Sequence, residues 1–92
     1  MKKTKHCAQR QWERGISDYL LEKVCWAIPK LLKGKNCYLV GSETRKRLGV
    51  PKENLVVVME DDVVVTVFYI DDLANYLLGK NRGVGLQTIS II

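Results

Sequence analysis

The chain has 92 residues, 47% of them hydrophobic, and a net charge of +5 that divides unevenly: residues 1–52 hold 13 Lys and Arg against 4 Asp and Glu, residues 53–92 hold 2 against 6. That length suits one domain, 1–92, with one core. The apolar runs are far shorter than the roughly 20 residues of a bilayer span, and no apolar signal-peptide core follows the basic amino terminus, so a soluble, cytoplasmic protein without a membrane partner is expected.

In chain order, Lys3 to Arg14 suit a helix. Ala8 and Trp12 give it a narrow apolar edge, and Gly15 suits a left-handed C-terminal cap. Ser17 can cap a second helix, with Asp18 at the positive end of its dipole. Leu20, Val24, Ala27 and Leu31 recur at helical spacing, widened by Leu21, Cys25 and Ile28. Pro29 predicts an end or kink near Ala27–Ile28, and Gly34 closes the segment. Asn36–Val40 reads as a short strand. The basic connection Gly41–Lys52 has room for one helical turn after Ser42. Leu55–Met59 and Val63–Ile70, rich in β-branched residues, read as a hairpin across Glu60-Asp61-Asp62. Asp71 or Asp72 can cap a short helix over 73–78, ended by Gly79. Residues 80–85 read as a loop and 86–92 as a terminal strand whose partner the sequence does not reveal. The order predicts an α+β fold: two N-terminal helices on an antiparallel sheet of about four strands, with a short helix near the C-terminus.

Cys7, Cys25 and Cys37 are odd in number and form no Cys-x-x-Cys pair. With one histidine in the chain they lack the makings of structural zinc, so reduced, buried thiols are expected. Glu60, Asp61 and Asp62 read as a solvated turn rather than a metal site. Trp12 and Trp26 read as core anchors, with base stacking as the minority alternative.

The segment "KHCAQRQWERGI" carries the functional signal. His6, Arg10 and Arg14 follow at four-residue steps and span roughly 80° of one helical face, and Lys3 extends the row by a turn. Neighbouring cations cost a few tenths of a kcal/mol per pair, a cost that acquires a purpose if the row faces phosphates. Histidine can act as acid or base near neutrality, and arginine offers a permanently charged fork that fits phosphate. A merely solvated cationic face has the same pattern. Lys5, Arg45 and Arg47 add cations suited to a nucleic-acid backbone. In the strand Val63–Ile70, Val63, Val65, Val67 and Tyr69 share one face and Val64, Thr66, Phe68 and Ile70 the other. Phe68 could stack on a base if its face is open, but both faces are apolar and periodicity does not choose between them.

"HCAQRQWERGIS" resembles the opening motif of the domain-of-unknown-function family numbered 4258: a histidine, an arginine four on, and a second arginine before Gly-Ile-Ser. "NLVVVMEDDVVVTVFYI" is similar to that family's closing hairpin. The resemblance spans roughly residues 5–70. It implies the barnase, EndoU, colicin and RelE-like ribonuclease fold, and a metal-independent endoribonuclease of toxin type that needs no cofactor. It implies RNA as substrate and an acidic antitoxin or immunity protein as partner. Carried over by position, His6, Arg10, Arg14 and Thr66 match the family's site, and Phe68 stands where tyrosine is frequent, without the hydroxyl. The expected reaction is attack by the RNA's own 2′-hydroxyl to leave a cyclic phosphate, although no second acid–base group is evident. A non-catalytic RNA- or DNA-binding module, or an inactive relative serving as a protein-interaction domain, fits the same residues.

Overall fold

The computed structural model describes residues 1–71 and 89–92. Along the chain run β1 (Lys2–Lys3), α1 (Lys5–Arg14), α2 (Asp18–Trp26), β2 (Lys35–Leu39), α3 (Ser42–Leu48), β3 (Leu55–Glu60), β4 (Val63–Tyr69) and β5 (Ile89–Ile91). The α+β expectation holds, but the sheet has five strands in the order β1-β4-β3-β2-β5 and is mixed, not a four-stranded antiparallel one. Its centre is antiparallel: the expected hairpin of β3 and β4, with β2 paired to β3. Each edge is a parallel strand, β1 beside β4 and β5 beside β2. The expected helix over 73–78 and the loop over 80–85 lie outside the described residues.

Local signals set the helix ends. Gly15, at φ +64, ends α1 with its amide directed at the Gln11 and Trp12 carbonyls, a conformation that costs glycine no Cβ clash. The Ser17 hydroxyl accepts from the Leu20 amide and starts α2, which ends at Trp26, just before Ile28-Pro29. The basic connection after β2 forms a seven-residue helix, α3, rather than a single turn.

Side chains from all three helices cover one face of the sheet. Cys7 of α1 and Leu21 and Val24 of α2, with Leu48 of α3 at the margin, pack on Tyr38, Val57, Met59, Val64 and Val67. On the opposite face Cys37, Leu39, Val56, Val58 and Ile70 form a second buried cluster, flanked by Val65, Phe68 and Ile89. A sheet buried on both faces explains strands that read as continuous apolar runs instead of alternating ones.

A β-bulge decides the geometry of β4. Val58 pairs with Thr66 but Met59 pairs with Val64, leaving Val65 as the extra residue. Alternation breaks there: Val64 joins Val67 and Tyr69 on the helix side, and Val65 joins Phe68 and Ile70 on the other. The expected sides of Val64 and Val65 are thereby both corrected. The bulge also anchors α1. Thr4, its N-cap, donates its hydroxyl to the Val65 carbonyl at 2.8 Å and accepts from the Cys7 amide at 3.0 Å, and its own amide reaches the Val64 carbonyl at 3.0 Å.

The inner edge of α1 is Cys7 and Gln11, not Ala8 and Trp12. Gln11 can be buried because its amide is satisfied. Its Nε2 donates to the Ile16 carbonyl at 3.2 Å and the Asp18 carboxylate at 2.9 Å, and its Oε1 accepts from the Lys3 ammonium at 2.8 Å. A fully paired polar side chain costs little in an interior. Trp12 is 87% exposed, Trp26 is 88% exposed and Leu31 is also outside, so neither tryptophan is the expected core anchor.

Candidate nucleic-acid interface

His6, Arg10 and Arg14 do share one open flank of α1. The Arg10 Nε donates to the His6 Nε2 at 3.4 Å, which requires that nitrogen to present its lone pair. The member that sequence reasoning missed is Glu13. Its carboxylate lies 2.7 Å from the Arg10 guanidinium and 3.8 Å from that of Arg14, and it accepts from Gln9 at 3.2 Å. The hydrogen bond from Arg10 holds the Glu13 carboxyl below its ordinary pKa, with the charges of Arg10 and Arg14 adding to the effect. Glu13 is seven residues from His6, nearly two helical turns, and so falls within the same stripe. That spacing was the available signal. Its charge offsets the repulsion that the arginine row otherwise carries.

The remaining sequence-predicted residues separate into three places. Lys3 leaves the stripe: it belongs to β1, and its ammonium bonds Gln11 and Asp18 instead of extending the row. Lys5 opens α1 in solvent. Thr66 pairs with Val58, whose cluster lies on the sheet face away from α1, and Phe68 packs against that same cluster. The sheet therefore stands between the Thr66 hydroxyl and the His6 ring, and the four residues that the family resemblance groups do not converge.

Arg45 and Arg47 sit on α3. Arg45 is half-buried, whereas Arg47 lines a groove of about 410 Å³ between α2 and α3 together with Tyr19, Glu22, Lys23, Trp26 and Leu48. Over this groove the Lys23 ammonium stands 4.4 Å from the centroid of the Tyr19 ring. The acidic hairpin tip is engaged in structure: Asp61 accepts from the Gly34 amide at 2.9 Å and Asp62 pairs with Lys2 at 3.3 Å.

No disulfide joins the three cysteines; Cys7 and Cys37 are buried and Cys25 partly so. Burial raises the Cys7 thiol above its ordinary value and pushes Cys25 up to about 11, so both stay protonated at neutral pH and are poor nucleophiles. Among the described residues no cluster of His, Cys, Asp and Glu side chains is arranged to hold a metal. No helix among them is long and apolar enough to cross a membrane. Compared with known proteins, the chain matches no family model, no curated protein and no solved structure.

Proposed function

We propose that this protein binds RNA, with the exposed flank of α1 gripping the phosphate backbone. The observation that carries the reading is the joint presentation of the Arg10 and Arg14 guanidiniums beside the His6 ring, both paired with one exposed carboxylate that a phosphate can replace. The +9 balance of residues 1–52 supports an anionic partner, and the resemblance of residues 6–17 to a ribonuclease-fold motif favours RNA. Arginine forks bind phosphate through paired N–H donors, and Glu13 would yield them to a ligand of higher charge.

A second reading, a metal-independent endoribonuclease of toxin type, is favoured by the presence of an imidazole and a carboxylate on one patch. In that reaction Glu13 would take the proton from the 2′-hydroxyl as its oxygen attacks phosphorus. The P–O5′ bond breaks, the imidazolium form of His6, its Nε2 turned away from Arg10, gives a proton to the departing 5′-oxygen and becomes neutral, and the arginines stabilise the charge gathering on the phosphoryl oxygens. An acidic antitoxin or immunity protein would then cover the same cationic flank. Cysteines with no disulfide between them suit a reducing compartment, and a cytoplasmic location is part of this proposal.

One experiment tests both. Binding of a single-stranded RNA is followed from about 50 to 200 mM salt, and the same mixtures, with chelator present, are run on denaturing gels. Arg10→Ala and Arg14→Ala should each weaken binding and flatten the salt slope by about 0.7. Cyclic-phosphate ends that vanish in His6→Ala establish the enzyme. Binding without product establishes the module. A double arginine variant that binds as the native chain does removes the α1 site, and a native chain that binds no RNA removes the reading.

A further inference from the structure

Trp26 and Tyr19 are large aromatic side chains left in solvent, 88% and 70% exposed. Seven residues apart on α2, they lie within about 20° of each other around the helix and roughly 10 Å apart along it. Lys23 falls between them on the same stripe and stands over the Tyr19 ring. Across the groove Arg47 of α3 faces this stripe, with Glu22 as the one acidic member of the lining. Lys46, also exposed, adds a further cation to the last turn of α3.

At 88% exposure Trp26 contributes little burial to folding, so nearly all of its ring is open to a partner. The Lys23 ammonium covers one face of the Tyr19 ring, and at 70% exposure the ring keeps further surface open to a base. Rings that alternate with cations along one groove are the arrangement that holds unpaired bases: π-faces take the bases, and ammonium and guanidinium groups follow the phosphates. A duplex would gain nothing from the rings, since its bases are already stacked on each other. An acidic peptide would use Lys23 and Arg47 but leave the aromatic faces without a matching partner.

We infer that the α2–α3 groove is a base-stacking platform for single-stranded RNA, with Trp26 and Tyr19 as the stacking rings and Lys23 and Arg47 as the phosphate contacts. The inference rests on the RNA-binding reading above and adds the class of RNA and a second contact surface. Trp26 acts by stacking and Arg47 by charge, so their substitutions have separable signatures.

The test uses the full chain carrying Trp12→Phe, which leaves Trp26 as its single tryptophan. It is titrated with a 12-residue oligouridylate (about the site size of such surfaces), with a duplex RNA of equal length, and with an acidic oligoglutamate. The expected result is strong quenching of Trp26 emission by the single strand and little by the duplex or the peptide. Trp26→Ala should lower single-strand affinity between about fivefold and a hundredfold, the range measured per stacked base, without changing the salt slope. Trp26→Phe should recover part of the loss, and Arg47→Ala should flatten the slope by about 0.7. Unaltered single-strand affinity in Trp26→Ala, with Arg10→Ala and Arg14→Ala still weakening it, overturns the platform and leaves the α1 reading standing. Quenching by oligoglutamate rather than RNA makes the groove a protein-docking surface and overturns the platform too. Absence of RNA binding in the native chain overturns both.

Discussion

The Glu13 carboxylate, 2.7 Å from the Arg10 guanidinium and within 3.8 Å of Arg14, is a built-in stand-in for an anionic ligand. Removing its charge separates binding from catalysis. Glu13→Gln frees both guanidiniums, so RNA affinity at low salt should rise about two- to fivefold and the salt slope should steepen, by up to about 0.7 for one more neutralised phosphate. The pair is exposed, so thermal stability should hardly change. If Glu13 is instead the base of a cleavage reaction, the same variant binds more tightly yet forms less cyclic phosphate. Affinity that falls in Glu13→Gln would show that the carboxylate organises the arginines instead of restraining them.

Thr66 offers a second discrimination. Its strand neighbour Val67 packs beneath the helices, and its cross-strand partner Val58 belongs to the other face. A hydroxyl so placed cannot reach a phosphate held on α1. Thr66→Val should leave RNA affinity and any cleavage within about twofold of native, as the family resemblance does not imply. A loss of activity with unchanged thermal stability would mean that the nucleotide reaches around the sheet.

Much of this arrangement was legible from local chemistry. Gly15 and Ser17 mark helix ends because a left-handed cap and a hydroxyl cap are decided by neighbouring residues alone. The hairpin was legible because two β-branched runs flank an acidic turn. The edge strands were not. β1 consists of two lysines and has no apolar pattern to read, and a parallel strand gives no turn that ties it to its neighbour. The bulge at Val65 reversed a parity argument that needs every residue to be paired. Gln11 outranked Trp12 for the interior because Lys3, Ile16 and Asp18 satisfy its amide, and all three lie outside the helix that carries it. In the candidate site, the histidine and arginines were legible as a stripe of four-residue steps, whereas Glu13, three residues from Arg10 and one from Arg14, falls off that spacing.

Gln11 therefore predicts a stability effect out of proportion to its polarity. Gln11→Ala removes the groups that satisfy the Ile16 carbonyl and part of Lys3 and Asp18, and leaves a small void beside Cys7. The expected loss is about 2–3 kcal/mol, read as a fall in Tm of roughly 8–24 °C for a domain of this size. RNA binding by α1 should persist at temperatures where the variant is folded, because Gln11 faces inward.

The same network makes an acid-side prediction. The hydrogen bond from the Lys3 ammonium, then that from the Gln11 amide, holds the Asp18 carboxyl below its ordinary value of 3.8. A group whose pKa is depressed by folding contributes stability that is complete above the unfolded value and is lost as pH falls through the folded one. Denaturation midpoints should accordingly decline on the acid side of the aspartate range. Asp18→Asn should be less stable than native at neutral pH and show a shallower acid decline. Parallel pH profiles for the two proteins would remove the linkage.

Gly41 tests the least expected part of the sheet, the parallel pairing of β5 with β2. Its amide donates to the Ile92 carbonyl at 2.9 Å, and the Ile92 amide donates to the Leu39 carbonyl at 2.9 Å, just past the Leu39↔Ile91 pair. A Cβ at position 41 would stand 3.1 Å from the Ile92 carbonyl oxygen and 3.2 Å from the Ile91 Cγ2. The isoleucine methyl can turn aside, but the carbonyl oxygen cannot move without lengthening the bond it accepts. Gly41 has φ −71, which any residue tolerates, so the cost of Gly41→Ala is mainly steric and falls on β5, with a smaller loss at the N-cap of α3. The expected loss is about 1–2 kcal/mol. Amide exchange should quicken at Ile92 and at position 41 while the β3–β4 ladder stays protected. Exchange at Ile92 as slow as in the native chain would show that the strand shifts to admit the methyl, and that β2 and β5 are not held as closely as the two hydrogen bonds imply.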